Sequence, residues 1–141
     1  MDDLDQQLLA LLRQDARASV ATLAHKLGVS RGTVGNRITK LEDQGVIVGY
    51  TVRLRPDARP DEIRAWMSVA VEGNQTRAVI ATLLGEPGVA SLHDTNGRWD
   101  LLAELRAANL SELANVLERI RLIKGIAATE TSIHLQTYRL S

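Results

Sequence analysis

Apolar residues recur at helical spacing three times near the start of the chain. Leu4, Leu8, Leu11 and Leu12 share one face of a segment from about Asp2 to Asp15, whose acidic start suits the positive end of a helix dipole. Val20, Leu23, Ala24 and Leu27 form a second stripe, opened by Ser19 as an N-cap and closed by Gly28. Val34, Ile38 and Leu41 form the third, opened by Ser30 and ended by Gly45. Two helices joined by a tight glycine-containing turn, the second with a polar outer face, form a helix-turn-helix. After them Val46 to Leu54 reads as a strand, which would give the unit a wing, and Arg55 to Glu62, with two prolines, reads as a linker.

The remainder follows a different pattern. Ala65 to Glu72 alternates as a strand, Thr76 to Leu84 carries Val79, Ile80, Leu83 and Leu84 as a helix, and Val89 to Asp94 is again a strand. Thr95-Asn96-Gly97-Arg98 reads as a hairpin turn, because Asn-Gly accepts the positive φ that tight hairpins need, with Trp99 to Arg106 as the partner strand. Asn109 and Glu112 have capping-box spacing and open a helix that turns Leu110, Leu113, Leu117 and Ile120 inward. Gly125 stops it, and Ala127 to Leu140 is a long strand. Strand-helix-strand-strand-helix-strand is the split βαβ of ferredoxin type.

The expected fold is therefore α+β. It comprises a three-helix, plain or winged, helix-turn-helix domain at 1–50, a strand and linker at 51–64, and a ferredoxin-like βαββαβ domain at 65–141. Such a sheet carries helices on one face only, and a second copy of the chain is the natural cover for the other.

Composition narrows the picture. Apolar residues make up 45% of 141, enough for a core or two small ones. Basic and acidic residues balance at 17 each, and at six each within residues 1–50, so any DNA affinity must come from local placement and from repetition of the site in an oligomer. There is no cysteine, hence no disulfide or thiol chemistry. No apolar run is long enough for a membrane span and the acidic start is no signal peptide, so a cytoplasmic protein is expected. His25, His93 and His134 lack metal-ligand spacing, and no phosphate loop or nucleophile motif is present, so no cofactor is expected.

On a wheel of the third helix, Gly32, Thr33, Asn36, Thr39 and Lys40 point away from the core, with Arg31 and Arg37 on the flanks. Asn36 suits an adenine edge, Arg31 or Arg37 a guanine or a phosphate, and Ser30 a phosphate. Gly32 and Gly35 each cost roughly 1 kcal/mol of helix propensity relative to Ala, a cost that makes sense where a side chain would collide with DNA. Paired on a dimer, two such helices would read half-sites about one helical turn apart.

LDQQLLALLRQDAR at the start, LAHKLGVS in the turn, RITKLEDQGVIVGY at Arg37 to Tyr50 and NGRWDLL in the second half together resemble the Lrp/AsnC family of transcription regulators, along nearly the whole chain. The resemblance implies an N-terminal domain that binds double-stranded DNA, a linker, and a C-terminal effector and assembly (RAM) domain. It also implies dimers formed through the sheets, often assembled into tetramers or octamers, and an amino acid bound between C-terminal domains. Two departures are plain: Gly32 and Gly35 replace the bulkier polar residues usual on this helix face, and Trp99 stands where a smaller aromatic is usual.

A free amino acid needs a cation or amides for its carboxylate, an acceptor for its ammonium and a wall for its side chain. Asn96, Gly97, Arg98, Trp99 and Asp100 supply these types: turn amides and Arg98, Asp100, and Trp99 respectively. By the resemblance, Thr129 and Thr131 of the last strand close the site; strand alternation puts both on one face. The alternatives are an effector-independent architectural protein of the same family and, remotely, a small enzyme on a ferredoxin-like sheet.

Overall fold

Capping decides where the first three helices begin and end. In the computed structural model, which describes residues 1–55, Ala58 and 61–139, α1 spans Asp3–Gln14, α2 Val20–Leu27 and α3 Arg31–Asp43. Asp2 and Asp5 close a capping box on α1, a device built from carboxylates where Ser and Glu are more usual. Ser19 and Ser30 cap α2 and α3, accepting from the Thr22 and Thr33 amides at 3.0 and 3.1 Å. Gly28, at φ +68, ends α2 in a Schellman motif, with Val29 N–H on the Ala24 carbonyl. Gly45, at φ +73, ends α3 the same way through Val46 and Leu41. Leu8, Leu23, Ala24, Val34 and Leu41 are the buried core of this unit.

The strand expected from Val46 to Leu54 does not form, and with it no wing follows α3 among the described residues. A strand needs a ladder partner, and this segment finds none: Val48 is 94% and Val52 79% exposed. Of the linker expected at 55–62, residues 56, 57, 59 and 60 lie outside the described residues. The chain divides into two compact units, Met1–Arg53 and Leu54–Ser141.

The second unit runs β1 (Ile63–Val71), α4 (Thr76–Leu84), β2 (Val89–Asp94), β3 (Leu101–Ala107), α5 (Leu110–Arg121) and β4 (Ile126–Ile133). The antiparallel sheet has the order β2-β3-β1-β4, the ferredoxin-like arrangement. Period two sorts its strands: Ala65, Met67 and Val69 of β1 are fully buried with Leu101, Ala103 and Leu105 of β3, packed in one core with Val79, Leu83, Leu113, Val116 and Ile120 of the helices. Trp66, between them, is exposed on the other face, and His134 packs a tilted ring on it at 5.8 Å.

Three local expectations shift. Leu84 and Leu110 are exposed, and Val116 takes the inward position on α5. β4 stops at Ile133, paired with Ala65, although β1 extends back to Ile63; beyond it the His134 amide makes one further bond, to the Arg64 carbonyl. Of the longer strand expected, Leu140 lies outside the described residues. The turn into β2 presses against α5 so closely that a Cβ on Gly88 would meet Val116 Cγ2 at 2.7 Å, and Glu86 is pinned to Arg119 of α5 at 2.7 and 3.0 Å. No described helix is long and apolar enough to cross a membrane.

Candidate DNA-binding helix and ligand loop

Val34 and Leu41 anchor α3 in its core, so the opposite side is set by the helical repeat. That side carries Gly32, Asn36 and Thr39, all exposed, with Thr33 and Lys40 on one flank and Arg31 on the other. The Ser30 and Thr33 hydroxyls bond each other at 2.9 Å as part of the cap. Among the described residues Arg31 and Lys40 have no ion-pair partner, so their charges are available to an outside anion. Gly32 and Gly35 are not required by the chain itself: a Cβ on Gly32 would come no nearer than 3.9 Å to Ser30 Oγ, and one on Gly35 would meet nothing within 4 Å. Glu42 and Asp43 make the end of α3 acidic, so the helix favours a polyanion at its first turns.

Arg37 has a different environment from the other two cations. Its Nη1 donates to Asp2 Oδ2 at 2.5 Å and to Asp5 Oδ1 at 3.2 Å, across to the start of α1. Asp5 is only 7% exposed, and the guanidinium supplies the partner that a buried carboxylate needs. The same contact, with the Asp5 amide, holds the Asp2 carboxyl at about 2, well below its ordinary 3.8. These two aspartates are functional neighbours that helical periodicity did not single out. The available signal was a carboxylate three residues before Leu8, on the buried side of α1.

The segment between β2 and β3 is not the two-residue Asn-Gly turn. That turn needs positive φ at both central residues, and neither Asn96 nor Gly97 has it. Instead a six-residue loop, 95–100, is closed by its own ends: Thr95 N–H donates to the Asp100 carbonyl at 3.1 Å and Thr95 Oγ1 to the Trp99 carbonyl at 2.6 Å. Asp100 ties the loop to β1, donating its amide to Val69 at 3.0 Å and accepting from the Val71 amide through Oδ2 at 2.7 Å. The Arg98 guanidinium lies 5.8 Å from the Trp99 ring centroid, within cation–π range. Asn96 and Gly97 are exposed at the tip.

Thr129 and Thr131 are half-buried on β4, paired with Val69 and Met67 and hence on the helix-covered side of the sheet. Leu101 and Thr129 flank Val69 from opposite sides, which puts them about 10 Å apart at strand spacing. One chain therefore brings the loop and the threonines to one end of the sheet, with the width of β1 between them. Among the described residues no group of three or more His, Asp or Glu gathers as for a metal.

Comparison with known proteins agrees with this arrangement. Residues 1–42 match the AsnC-type helix-turn-helix domain, and residues 64–141 match the Lrp/AsnC ligand binding domain. An uncharacterised helix-turn-helix transcriptional regulator of Pyrococcus furiosus is 31% identical over 136 residues, covering 96% of this chain and 92% of its own. The transcriptional regulator FL11 of Pyrococcus horikoshii is 29% identical over 139 residues, 99% and 92% of the two chains. Escherichia coli AsnC superimposes with a TM-score of 0.86 at 26% identity, over 100% of this chain and 96% of that one. A Neisseria meningitidis transcriptional regulator, solved as an L-Met complex, shares the fold with a TM-score of 0.83 at 21% identity, over 100% and 94%. The two units thus define a DNA-binding transcriptional regulator with a ligand-binding domain. The chain belongs to the Lrp/AsnC family, whose relatives here are regulators rather than enzymes.

The Asp2–Arg37 contact gives the first unit an acid dependence. Because the folded Asp2 carboxyl titrates near 2 rather than 3.8, the unfolded chain binds more protons between these values. The stability from this contact is present above about pH 4 and lost as pH falls toward 2. Thermal unfolding of the full chain and of Arg37→Gln should therefore differ at neutral pH, and the difference should shrink across that window. A gap that stays constant down to pH 2 contradicts the contact.

Proposed function

We propose that α3 reads double-stranded DNA through Ser30, Arg31, Gly32, Thr33, Asn36 and Lys40, and that the protein does so as an assembly of identical chains carrying an amino-acid effector site. The observation that carries the DNA reading is the pair of helical glycines with open space around them. The fold gains nothing from them and loses helix propensity, so the requirement for a small residue comes from outside the chain. A bare first turn lets the backbone approach base edges, where Asn36 pairs an adenine and Arg31 and Lys40, without an ion-pair partner among the described residues, engage guanine or phosphate.

Self-association is supported by two surfaces. One is the uncovered face of the sheet, with Trp66 exposed at its centre. The other is the unpaired run from Val46 to Leu54, whose apolar residues alternate symmetrically about Tyr50: Val48 against Val52, Val46 against Leu54. Antiparallel pairing with a second copy about a two-fold axis would give the run the ladder partner it lacks, satisfying the backbone groups along one edge.

The effector reading rests on Asn96, Gly97, Arg98, Trp99 and Asp100 at one end of the sheet, with Thr129 and Thr131 from a neighbouring copy completing the site. Amino-acid class is supported by the family's ligand-binding domain and by the structural neighbour bound to L-Met. An effector acts only if it binds one assembly state better than another. The second reading, an effector-independent architectural protein, has its own support: Asp100 and Arg98 both spend their charges within the chain.

Three measurements test these readings. Gly32→Ala should melt no lower than the parent, while its affinity for duplex DNA selected by the parent protein falls about ten-fold, the scale of one lost base contact; unaltered binding sinks the close-approach argument. Sedimentation should give a dimer or larger species, reduced to one chain by Trp66→Glu; a monomeric parent that binds selected DNA fully overturns the assembly. A thermal-shift screen of the twenty amino acids should single out one or a few, since a ligand at about a hundred times its dissociation constant adds roughly 2.7 kcal/mol, with the shift lost in Gly97→Val. Flat results with DNA-competent protein select the architectural reading.

A further inference from the structure

Three cations lie along α3, and the structure separates them. Arg31 and Lys40 have no ion-pair partner among the described residues, whereas Arg37 is held twice. The holding is reciprocal. Asp2 divides its carboxylate between the Asp5 amide, at 2.9 Å to Oδ1, and Arg37, at 2.5 Å to Oδ2. Asp5 divides its own between the Asp2 amide, at 3.4 Å to Oδ2, and Arg37, at 3.2 Å to Oδ1. One guanidinium nitrogen thus completes the cap of α1 and joins it to the middle of α3.

We propose that Arg37 is a positioning residue: clamped by Asp2 and Asp5, it fixes the angle at which α3 meets DNA and does not touch the phosphates itself. This rests on α3 being the DNA-contacting helix. Burial makes the clamp difficult to exchange. Releasing Arg37 to a phosphate would leave Asp5, 7% exposed and one turn from the fully buried Leu8, as an uncompensated charge. The helical repeat agrees, placing Arg37 next to the buried edge marked by Leu41 rather than beside Gly32 and Asn36. The core of this unit is small, so a charged strut between α1 and α3 adds directional rigidity that a few apolar contacts supply only weakly. Accurate presentation of a helix matters most for base reading, where hydrogen-bond geometry is strict, and least for phosphate attraction.

The test uses the full chain, duplex DNA selected by the parent protein, and random duplex DNA, with binding measured across a range of salt. Asp2→Asn is the discriminating variant. Asn caps a helix as well as Asp, so α1 keeps its start while the charge facing Arg37 is removed. Simple electrostatics predicts that losing a negative charge strengthens DNA binding. The clamp predicts the opposite: about five-fold weaker binding to selected DNA, the upper range for one partly exposed ion pair, with random DNA little changed. Arg37→Gln should weaken selected DNA at least as much with no change in the salt slope, whereas Lys40→Ala should lower that slope by about 0.9 as one phosphate contact is lost. Selected-DNA affinity that holds or rises in Asp2→Asn overturns the proposal, as does a slope reduced by about 0.9 in Arg37→Gln. Should Arg37→Gln fail to fold, Asp2→Asn alone decides. If Lys40→Ala and Asn36→Ala change neither DNA, α3 is not the contacting helix and the role assigned to Arg37 falls with it, a pattern unlike any produced by a direct Arg37–phosphate contact.

Discussion

The packing of Val34 and Leu41 against Leu8, Leu23 and Ala24 determines which side of α3 is offered outward, and the properties of the first unit follow from it. Each fully buried leucine of that set contributes about 1.5–3 kcal/mol, so rotating α3 to present another face would expose a large share of what holds the unit together. With the inward face fixed, the outward one is left to Gly32, Asn36 and Thr39, and its chemistry is free of structural duty. Arg37 falls at the border and is drawn into the fold by Asp2 and Asp5. Residues on one helix are thus divided by their angle between those the fold uses and those it leaves outward.

The second unit obeys the same one-sidedness with a different period. Alternation along β1 buries Ala65, Met67 and Val69 under the helices and leaves Trp66 on the uncovered face. Close approach replaces bulk where α5 meets the turn into β2, at Gly88 and Val116. The loop before β3 gains its shape from Asp100, which bridges to both Val69 and Val71. A side chain that anchors a loop so firmly also restrains the neighbouring tip at Asn96 and Gly97.

What was legible in the sequence was what local interactions decide. Serine caps, Schellman glycines and apolar stripes act within a few residues, and α2, α3 and β2 begin and end close to where those signals put them. The misreadings share a cause: a distant partner, present or missing. Val46 to Leu54 has strand composition, but a ladder requires a second strand that this chain does not bring. Asn96-Gly97 has turn composition, but Asp100 closes a longer loop through β1. On the recognition helix, periodicity placed Arg37 on a flank, while its partners lie at the far end of the unit's sequence, at Asp2 and Asp5. Small-residue positions were readable, since an unforced glycine in a helix is conspicuous on propensity alone.

Charge accounting then explains why small residues matter so much on α3. The chain has no net charge, Glu42 and Asp43 oppose a polyanion at one end of the helix, and Arg37 is neutralised within the fold. Arg31 and Lys40 remain as the helix's available cations. Each phosphate neutralised contributes only about 0.9 to the salt slope, so a single α3 can draw little affinity from counterion release. A helix with so little electrostatic pull has two ways to bind tightly. It can act in pairs, which the uncovered sheet face and the self-complementary run about Tyr50 favour, and it can fit the groove closely enough for short hydrogen bonds to base edges. In the function proposed above, Gly32 and Gly35 serve the second way, exchanging helix stability for proximity. Such an exchange is useful only if α3 is held at a reproducible angle, which is the work of the aspartate clamp on Arg37.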